Sequence, residues 1–468
     1  MNAVSSTERD RPEERPPGRE RTGQLRRATL ASSVGSALEY YDFALYGLAS
    51  ALIFSRLFFP SLDPATGLIS SFAVYGVGFL ARPLGGLFFG VMGDRIGRKA
   101  VLVVTILLMG GSSTLIGALP TYEQAGLLAP CLLVLMRLAQ GFGAGAEQAG
   151  ATVLMSEVAP ARRRGFFAAL PFIGIQGGTL LAAVVFAGLG ALPEETLLGW
   201  AWRVPFLSSV VLIVVAVYIR ARLRETPAFA ELAARDEVAR QPLRELFTRS
   251  GRLVLQGVGL RMAENGGSYL FQGLAVAYAT GTVAQDPWVG SLAVAVGSLI
   301  GLVSVPLTGA LSDRVGRVPV YRAGALILAA GAVPAWWLLS LGIPAVTIAV
   351  IALGIGVAVN TMLGPQCALL PRLFGNRSRY LGVAMSREVS AVLAGGLAGV
   401  VGASLIKAFD GSWIPLAAYT LLLALITLAT TFRVPETRGR DLTVLDDARA
   451  ASAPTAEAAP RTQPTDTP

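Results

Sequence analysis

The chain contains no histidine, only two cysteines and few charged residues, and each shortage excludes a class of protein. Of its 468 residues 15% are charged and 53% hydrophobic, whereas soluble domains are about 25% charged. This composition cannot cover a water-facing surface, so we predict a membrane protein. Without histidine, a proton carrier near neutral pH must be another group, and Cys131 and Cys367, both in apolar runs, are expected to pack as small hydrophobic side chains.

Two further classes of function are excluded by missing patterns. The sequence has no phosphate-binding GxxxxGK[ST] loop and no cluster of metal-ligating residue types, so we predict no enzyme activity, no cofactor and no metal. The net charge of +9 comes from arginines in short loops between apolar runs, and such spacing does not form a nucleic-acid-binding patch. Nucleic acid is therefore not a predicted partner.

Apolar segments of spanning length recur twelve times, in two groups of six. About 20 residues cross a bilayer as a helix. We predict an all-α membrane protein with an N-terminal half at residues 28–221, a charged cytoplasmic loop at 222–252 and a C-terminal half at 253–433, flanked by disordered tails at 1–27 and 434–468. The predicted spans are 29–55, 68–92, 100–119, 127–156, 167–190, 202–221, 253–281, 288–311, 320–341, 344–370, 379–406 and 412–432.

Basic residues collect on one side of this twelve-span arrangement. Runs such as Arg162–Arg164 and the arginines of the loop at 222–252 all fall on that side, whereas the opposite loops carry Asp63, Glu194 and Asp410. By the positive-inside rule, both termini and the central loop are predicted to be cytoplasmic.

A basic turn occurs once in each half. Residues 90–99 read GVMGDRIGRK, and residues 309–317 read GALSDRVGR. The repeat indicates an internal duplication of a six-helix unit, with a glycine that permits a tight turn and arginines that stay charged. Because the second copy ends in Val318 rather than a basic residue, it is expected to matter less. The predicted cytoplasmic gate comprises Gly90, Asp94, Arg95, Gly97 and Arg98 in the first copy, and Asp313, Arg314 and Arg317 in the second.

Several predicted spans contain charged side chains. A charge at a helix centre costs at least ~2.5 kcal/mol on insertion scales, so several in one bundle imply pairing and a polar central cavity between the two halves. A buried carboxylate can titrate near neutrality. The candidates for the proton carrier are Asp42, Glu39, Glu147 and Glu264.

Two intramembrane arginines are candidates for binding a carboxylate. Arg137 and Arg261 each lie roughly ten residues, or ~15 Å, into their spans, and a guanidinium pairs with a carboxylate through two parallel hydrogen bonds. The alternative is that Arg137 pairs permanently with Glu147 or Asp42. The complete set of predicted substrate-binding residues is Arg137, Arg261, Gln140, Tyr46 and Gln272.

These motifs resemble those of a known family. The paired basic turns and the six-plus-six spans are similar to the major facilitator superfamily over residues 28–435. More narrowly, residues 39–43 (EYYDF), 137–141 (RLAQG) and 224–227 (RETP) resemble its metabolite:proton symporter branch. Tyr40 stands where that branch usually has tryptophan, and this departure near the expected cavity leaves the substrate open.

The resemblance implies a secondary transporter that works by alternating access, with one half rocking against the other. It implies proton-coupled import of a small organic acid, such as a shikimate-like mono- or dicarboxylate, across a bacterial inner membrane by a monomer. Import of a zwitterion such as proline or betaine, and export of a drug or other small molecule by proton antiport, remain alternatives. The predicted partners are the organic acid, protons and the lipid bilayer.

Overall fold

The computed structural model describes residues 18–96, 98–145, 147–222, 246, 248, 250–375, 378–440 and 447–448, and within these ranges it contains helices and no strands. Twelve long helical segments follow one another in the described part of the chain. They are α1 Gly18–Leu52, α2 Pro64–Ile96, α3 Arg98–Ala118, α4 Leu128–Ala144 with Glu147–Val158, α5 Ala161–Leu189, α6 Arg203–Arg222, α7 Gly251–Tyr269 continued to Thr282, α8 Pro287–Val315, α9 Arg317–Ser340, α10 Pro344–Leu373, α11 Arg379–Ala408 and α12 Ile414–Thr431.

Each predicted span overlaps one of these helices, which confirms the all-α fold of twelve segments. By length and hydropathy alone, seven of the described helices are apolar enough to cross a bilayer, and the bent pair Glu194–Ala201 and Arg203–Val215 makes an eighth. Helices such as α1 and α7 fall outside that group because they carry charged residues. The same residues that make these helices less apolar are the candidates for function.

The predicted tails need correction at the ends that adjoin the bundle. Helix α1 begins at Gly18, so residues 18–27 are helical; arginine, glutamate, glutamine and leucine in this stretch are strong helix formers that extend the first span. After α12, the carbonyl of Thr437 accepts hydrogen bonds from Arg317 (3.2 Å) and Arg372 (2.9 Å). The C-terminal segment is ordered here because buried arginines of the bundle need acceptors.

Glycines let α2 and α4 approach closely. A Cβ on Gly141 would lie 1.9 Å from the carbonyl oxygen of Gly78, and one on Gly145 would lie 2.0 Å from that of Arg82. Small residues at such positions allow membrane helices to pack backbone against backbone. This packing brings the Arg82 backbone against the helix that carries Arg137.

The two halves meet along α5 with α8 and along α2 with α11. Near the predicted external face, Lys407 pairs with Asp63 at 3.3 Å. Near the predicted cytoplasmic face, Arg379 pairs with Glu157 at 3.1 Å. The halves are therefore joined near both ends of the bundle, with the charged residues of the spans enclosed between them.

Candidate transport site

Arg82 of α2 contacts one carboxylate from each half. Its Nη1 lies 2.9 Å from Oε1 of Glu39 in α1, and its Nε lies 2.7 Å from Oε2 of Glu388 in α11. The three side chains are 7%, 0% and 2% exposed, respectively. An arginine that shares two carboxylates across the boundary links the halves electrostatically at a buried position.

A second polar cluster lies in the C-terminal half. Arg261 forms an ion pair with Glu264 at 3.2 Å and donates a hydrogen bond to Ser390 at 2.8 Å. Gln366 of α10 donates to Glu264 at 2.8 Å, and its Oε1 accepts hydrogen bonds from both Arg261 and Arg387. The predicted substrate arginine Arg261 thus already has a carboxylate partner, the predicted proton carrier Glu264.

Arg387 lies at the boundary between the halves. It donates from Nη2 to Oε1 of Gln148 in α4, and its guanidinium carbon lies 5.5 Å from the ring centre of Phe172 in α5. Among the described side chains no carboxylate forms an ion pair with Arg387. Its buried Nε and the buried Nε2 of Gln148 have no hydrogen-bond partner in the described structure. Two donors on side chains that contact each other, one from each half, are therefore available to an acceptor.

Arg137 lies inside the N-terminal half and is surrounded by aromatic rings. Its guanidinium carbon is 4.5, 4.4 and 4.6 Å from the ring centres of Phe43, Tyr46 and Tyr75. It donates to the backbone carbonyl of Tyr75 and to the side chain of Gln140. Within the described residues it forms no ion pair with a carboxylate, so a permanent bridge to Asp42 is not present.

Asp42 also faces the interior of the N-terminal half. It is 4% exposed and accepts a hydrogen bond of 3.1 Å from Ser209 in α6. Gln140 donates to Ser113 of α3 at 2.5 Å. Although Glu39 and Asp42 share one helical face by spacing, the structure connects Glu39 to the boundary between halves and Asp42 to the inner helices of its own half.

A small cavity lies between the halves. Of the predicted substrate residues Gln272 lines it, whereas Tyr46 is fully buried and stacks on Tyr75 with ring centres 5.6 Å apart. The lining residues are Ala44, Gly47, Leu48, Tyr75, Tyr269, Gln272, Gly273 and Val294.

The two copies of the basic turn differ in how far the structure describes them. In the first copy, Gly97 lies outside the described residues. The side chains of Asp94, Arg95 and Arg98 and the surroundings of Gly90 also lie outside the described part of the structure. The same holds for the side chain of Glu147, the proton-carrier candidate in α4. The second copy is described.

In that second copy, Asp313 accepts hydrogen bonds from the backbone N–H groups of Gly165 (2.7 Å) and Phe166 (3.0 Å). The Nη2 atom of Arg317 lies 3.5 Å from Oδ1 of Asp313. The backbone carbonyl of Arg314 accepts a hydrogen bond from the side chain of Arg438. The incomplete copy thus connects the end of α8 to the start of α5 in the other half.

Sequence reasoning did not select Arg82, Glu388, Arg387, Gln148 and Gln366 for the site, although the structure assembles them around the boundary. The signal was present in part, because Arg387 and Glu388 are adjacent charges within a predicted span. Spacing along one helix cannot show which charges on other helices they meet. The expectation for cysteine needs one correction, since Cys367 is buried but Cys131 is exposed on the surface of α4.

Comparison with known proteins decides the family. A family model described as "Sugar (and other) transporter" matches residues 28–260 and 275–448. The chain belongs to this family of the major facilitator superfamily. This sugar-transporter-family protein is a multi-pass membrane transporter, as are the relatives named below. The prediction that the chain is not an enzyme is therefore confirmed.

Two relatives support the resemblance to metabolite transporters. The chain is 35% identical to the proline/betaine transporter of Salmonella typhimurium, covering 90% of this chain and 85% of the relative. It is 34% identical to the shikimate transporter of Escherichia coli, covering 89% and 95%. The solved structure of the proton:xylose symporter XylE, bound to 6-bromo-6-deoxy-D-glucose, has a TM-score of 0.70 at 19% identity and covers 91% of this chain and 99% of that one. This likeness shows that the family fold is shared.

Proposed function

We propose that this transporter imports a small organic acid together with a proton. The observation that carries the proposal is the open pair of donors at the boundary, Arg387 Nε and Gln148 Nε2. A carboxylate oxygen accepts hydrogen bonds from a guanidinium and an amide, and charge-assisted bonds of this kind are about twice as strong as neutral ones. A substrate carboxylate bound there would contact both halves at once.

The local charges favour an anionic group. Arg261 and Arg387 share the acceptor oxygen of Gln366, and within the described part of the chain only Arg261 of these two has a carboxylate in contact. A buried arginine without a counter-ion is costly in the membrane interior. An incoming carboxylate supplies that counter-ion, so binding is favoured over that of a neutral compound of the same shape.

The experiment is a thermal-shift titration of the purified protein with three probes: shikimate, its neutral methyl ester, and the zwitterion proline. A ligand stabilises the state that it binds, by about 2.7 kcal/mol at a hundredfold excess over its Kd. We expect shikimate to raise the melting temperature and the ester to have no effect. If proline alone stabilises the protein, the zwitterion alternative replaces the organic acid; if neither carboxylate does, both are wrong.

The variant that tests the receptor is Arg387→Gln. We expect it to lose the stabilisation by shikimate while it remains folded. Arg322→Gln is the matched control, because Arg322 contacts Thr431 within the C-terminal half at 3.1 Å, away from the boundary. In Arg322→Gln, shikimate should raise the melting temperature as much as it does in the parent.

The direction of transport is tested in cells. We propose a bacterial inner-membrane location with both termini cytoplasmic, in which the inward proton gradient drives uptake. Accumulation of labelled substrate should then collapse when an uncoupler is added. An increase in accumulation with the uncoupler would indicate proton-driven export instead.

A further inference from the structure

The contacts of Arg82 distinguish its two carboxylate partners. Glu39 belongs to the same half as Arg82, so their 2.9 Å contact can persist when the halves move apart. Glu388 belongs to the other half, and it meets Arg82 through Nε at 2.7 Å and Nη2 at 3.4 Å. Any separation of α2 from α11 at this level removes the only arginine in contact with Glu388 among the described residues.

Glu388 lies nearer the predicted cytoplasmic face than the external one. It is nine residues into α11, which begins at Arg379, so it lies ~14 Å along the helix from that end. Opening of the pathway toward the cytoplasm at this level would therefore separate Arg82 from Glu388. A buried carboxylate left without its partner is strongly unfavourable unless it is protonated.

We propose that Glu388 takes up the transported proton, and that its protonation releases the contact with Arg82 so that the halves can separate on the cytoplasmic side. This inference rests on the proposed symport of a carboxylate and a proton. It assigns the coupling step to a residue in α11, whereas the sequence motifs pointed to carboxylates in α1, α4 and α7.

The buried charges around Glu388 explain why the proton and the anion move together. Two buried clusters lie side by side among the described residues: Arg82 with Glu39 and Glu388, and Arg261 with Glu264, Gln366 and Arg387. Together they hold three arginines and three carboxylates, so their formal charges cancel without substrate. A substrate carboxylate at Arg387 adds one negative charge, and one proton on Glu388 restores neutrality. The groups that face the two clusters are Glu39, Tyr40 and Asp42 from α1, Tyr75 and Arg82 from α2, Arg137 from α4, Arg261, Glu264 and Tyr269 from α7, Tyr321 from α9, Cys367 from α10, and Arg387 and Glu388 from α11. The formal charges of Arg137 and Asp42 cancel, so they leave this balance unchanged.

The transport cycle then follows from charge balance. Substrate binding between Arg387 and Gln148 favours proton uptake by a carboxylate oxygen of Glu388, and the neutral carboxyl group no longer holds Arg82. The cytoplasmic side opens, the substrate and the proton leave, and the carboxylate of Glu388 pairs with Arg82 again. Arg82 keeps its ion pair with Glu39 throughout.

The experiment uses the full-length protein in liposomes that contain a pH-sensitive dye, with shikimate and proline as probes. We expect addition of the transported probe to move protons in the parent. In Glu388→Gln, which mimics the protonated state, proton movement should be lost while exchange of labelled probe across the membrane continues. Glu388→Asp, which keeps a carboxyl group, should restore proton movement with a shifted pH profile.

Two further variants test whether the loss of proton movement is specific to Glu388. Glu157→Gln removes another ion pair between the halves, to Arg379, but one whose carboxylate is 38% exposed; it should still move protons with each probe molecule. If Asp42→Asn loses proton movement and Glu388→Gln retains it, the proton site is Asp42 and the inference is wrong.

A second measurement needs no substrate. Infrared difference spectra of the parent between alkaline and mildly acidic buffer, in which exposed carboxylates stay ionised, should contain a protonated-carboxyl component. It comes from molecules whose cytoplasmic side is open and whose Glu388 has lost Arg82, and it should be absent in Glu388→Gln. An unchanged band in that variant overturns the assignment. If the parent moves no protons with either probe, the proposed symport fails, and the infrared result still decides whether Glu388 takes up a proton.

Discussion

The carboxylate of Asp313 in α8 accepts a 2.7 Å hydrogen bond from the backbone N–H of Gly165 at the start of α5, and this contact joins the two halves. The N–H groups of a first helical turn lack partners within the helix and carry partial positive charge, so a carboxylate there is favourable. A hydrogen bond to a charged group contributes about 1.5–3 kcal/mol. The incomplete second motif therefore has a direct role in closing the predicted cytoplasmic side.

We expect Asp313→Asn to weaken this closure, because the amide loses the charge that favours the helix end. A cysteine introduced at Ser312, which is fully buried, should then react faster with a thiol reagent in inside-out vesicles. Asp286→Asn, at the exposed opposite end of α8, is the control. Equal reaction rates in Asp313→Asn and the parent would show that the contact does not hold the gate.

The first copy of the motif leads to a separate prediction. Asp94 is expected to hold one conformation of the same gate, so Asp94→Asn should slow turnover far more than it weakens substrate binding. The measurement is the rate of uptake beside the Kd for the same probe. Transport at the parental rate would refute the gate role of Asp94.

The pair of Asp63 and Lys407 should hold the external side over the whole physiological pH range. Hydrogen bonds from Thr66, with the charge of Lys407, lower the pKa of Asp63 to about 2, compared with ~3.9 in an unfolded chain. Because the folded-state pKa is depressed, the contribution of this group to stability is complete above pH ~3.9 and is lost as the pH falls toward 2.

We therefore expect Lys407→Gln to increase external labelling of a cysteine at Gly67, to the same extent in neutral and mildly acidic medium. Arg56→Gln is the matched control, since the partner of Arg56, Glu194, lies in the same half. A strong pH dependence of the labelling between neutral and mildly acidic medium would contradict the assignment.

Arg137 should contribute to stability more than to substrate binding. A desolvated cation over aromatic rings contributes about 2 kcal/mol, and lysine cannot reproduce the planar contacts of a guanidinium. We expect Arg137→Lys to lower the free energy of unfolding by about 2 kcal/mol, seen as a lower melting temperature, with little change in the Kd for shikimate. Arg322→Lys is the control at a less buried site, because the guanidinium carbon of Arg322 lies 4.1 Å from the ring centre of Phe432. A large loss of affinity for shikimate at an unchanged melting temperature would instead show that Arg137 binds the substrate.

The predicted topology is tested by labelling from each side of the membrane. In a background with Cys131 and Cys367 replaced, cysteines at Ala65 and Ala234 should react with an impermeant reagent from outside and inside, respectively. Position 234 lies outside the described residues, and its cytoplasmic location follows from loop charge alone. External labelling at position 234 in intact cells would reverse the orientation.

The sequence by itself determined the number and order of the helices, because an apolar run of about 20 residues has few alternatives to a membrane-spanning helix. It also identified which helices carry charges, since polar residues are conspicuous in apolar runs. It was wrong about the ends of the tails: whether residues 18–27 and Thr437 are ordered depends on the helix and the arginines that they adjoin.

Only the tertiary structure decided which charges meet. Arg82 and Glu388 are 306 positions apart, and no helical spacing relates them; they pair because α2 packs along α11. The same packing surrounds Arg137 with aromatic rings, pairs Arg261 with Glu264 and leaves Arg387 at the boundary without a carboxylate in contact among the described residues. An intramembrane charge is visible in the sequence, but its partner depends on how separate helices pack against one another.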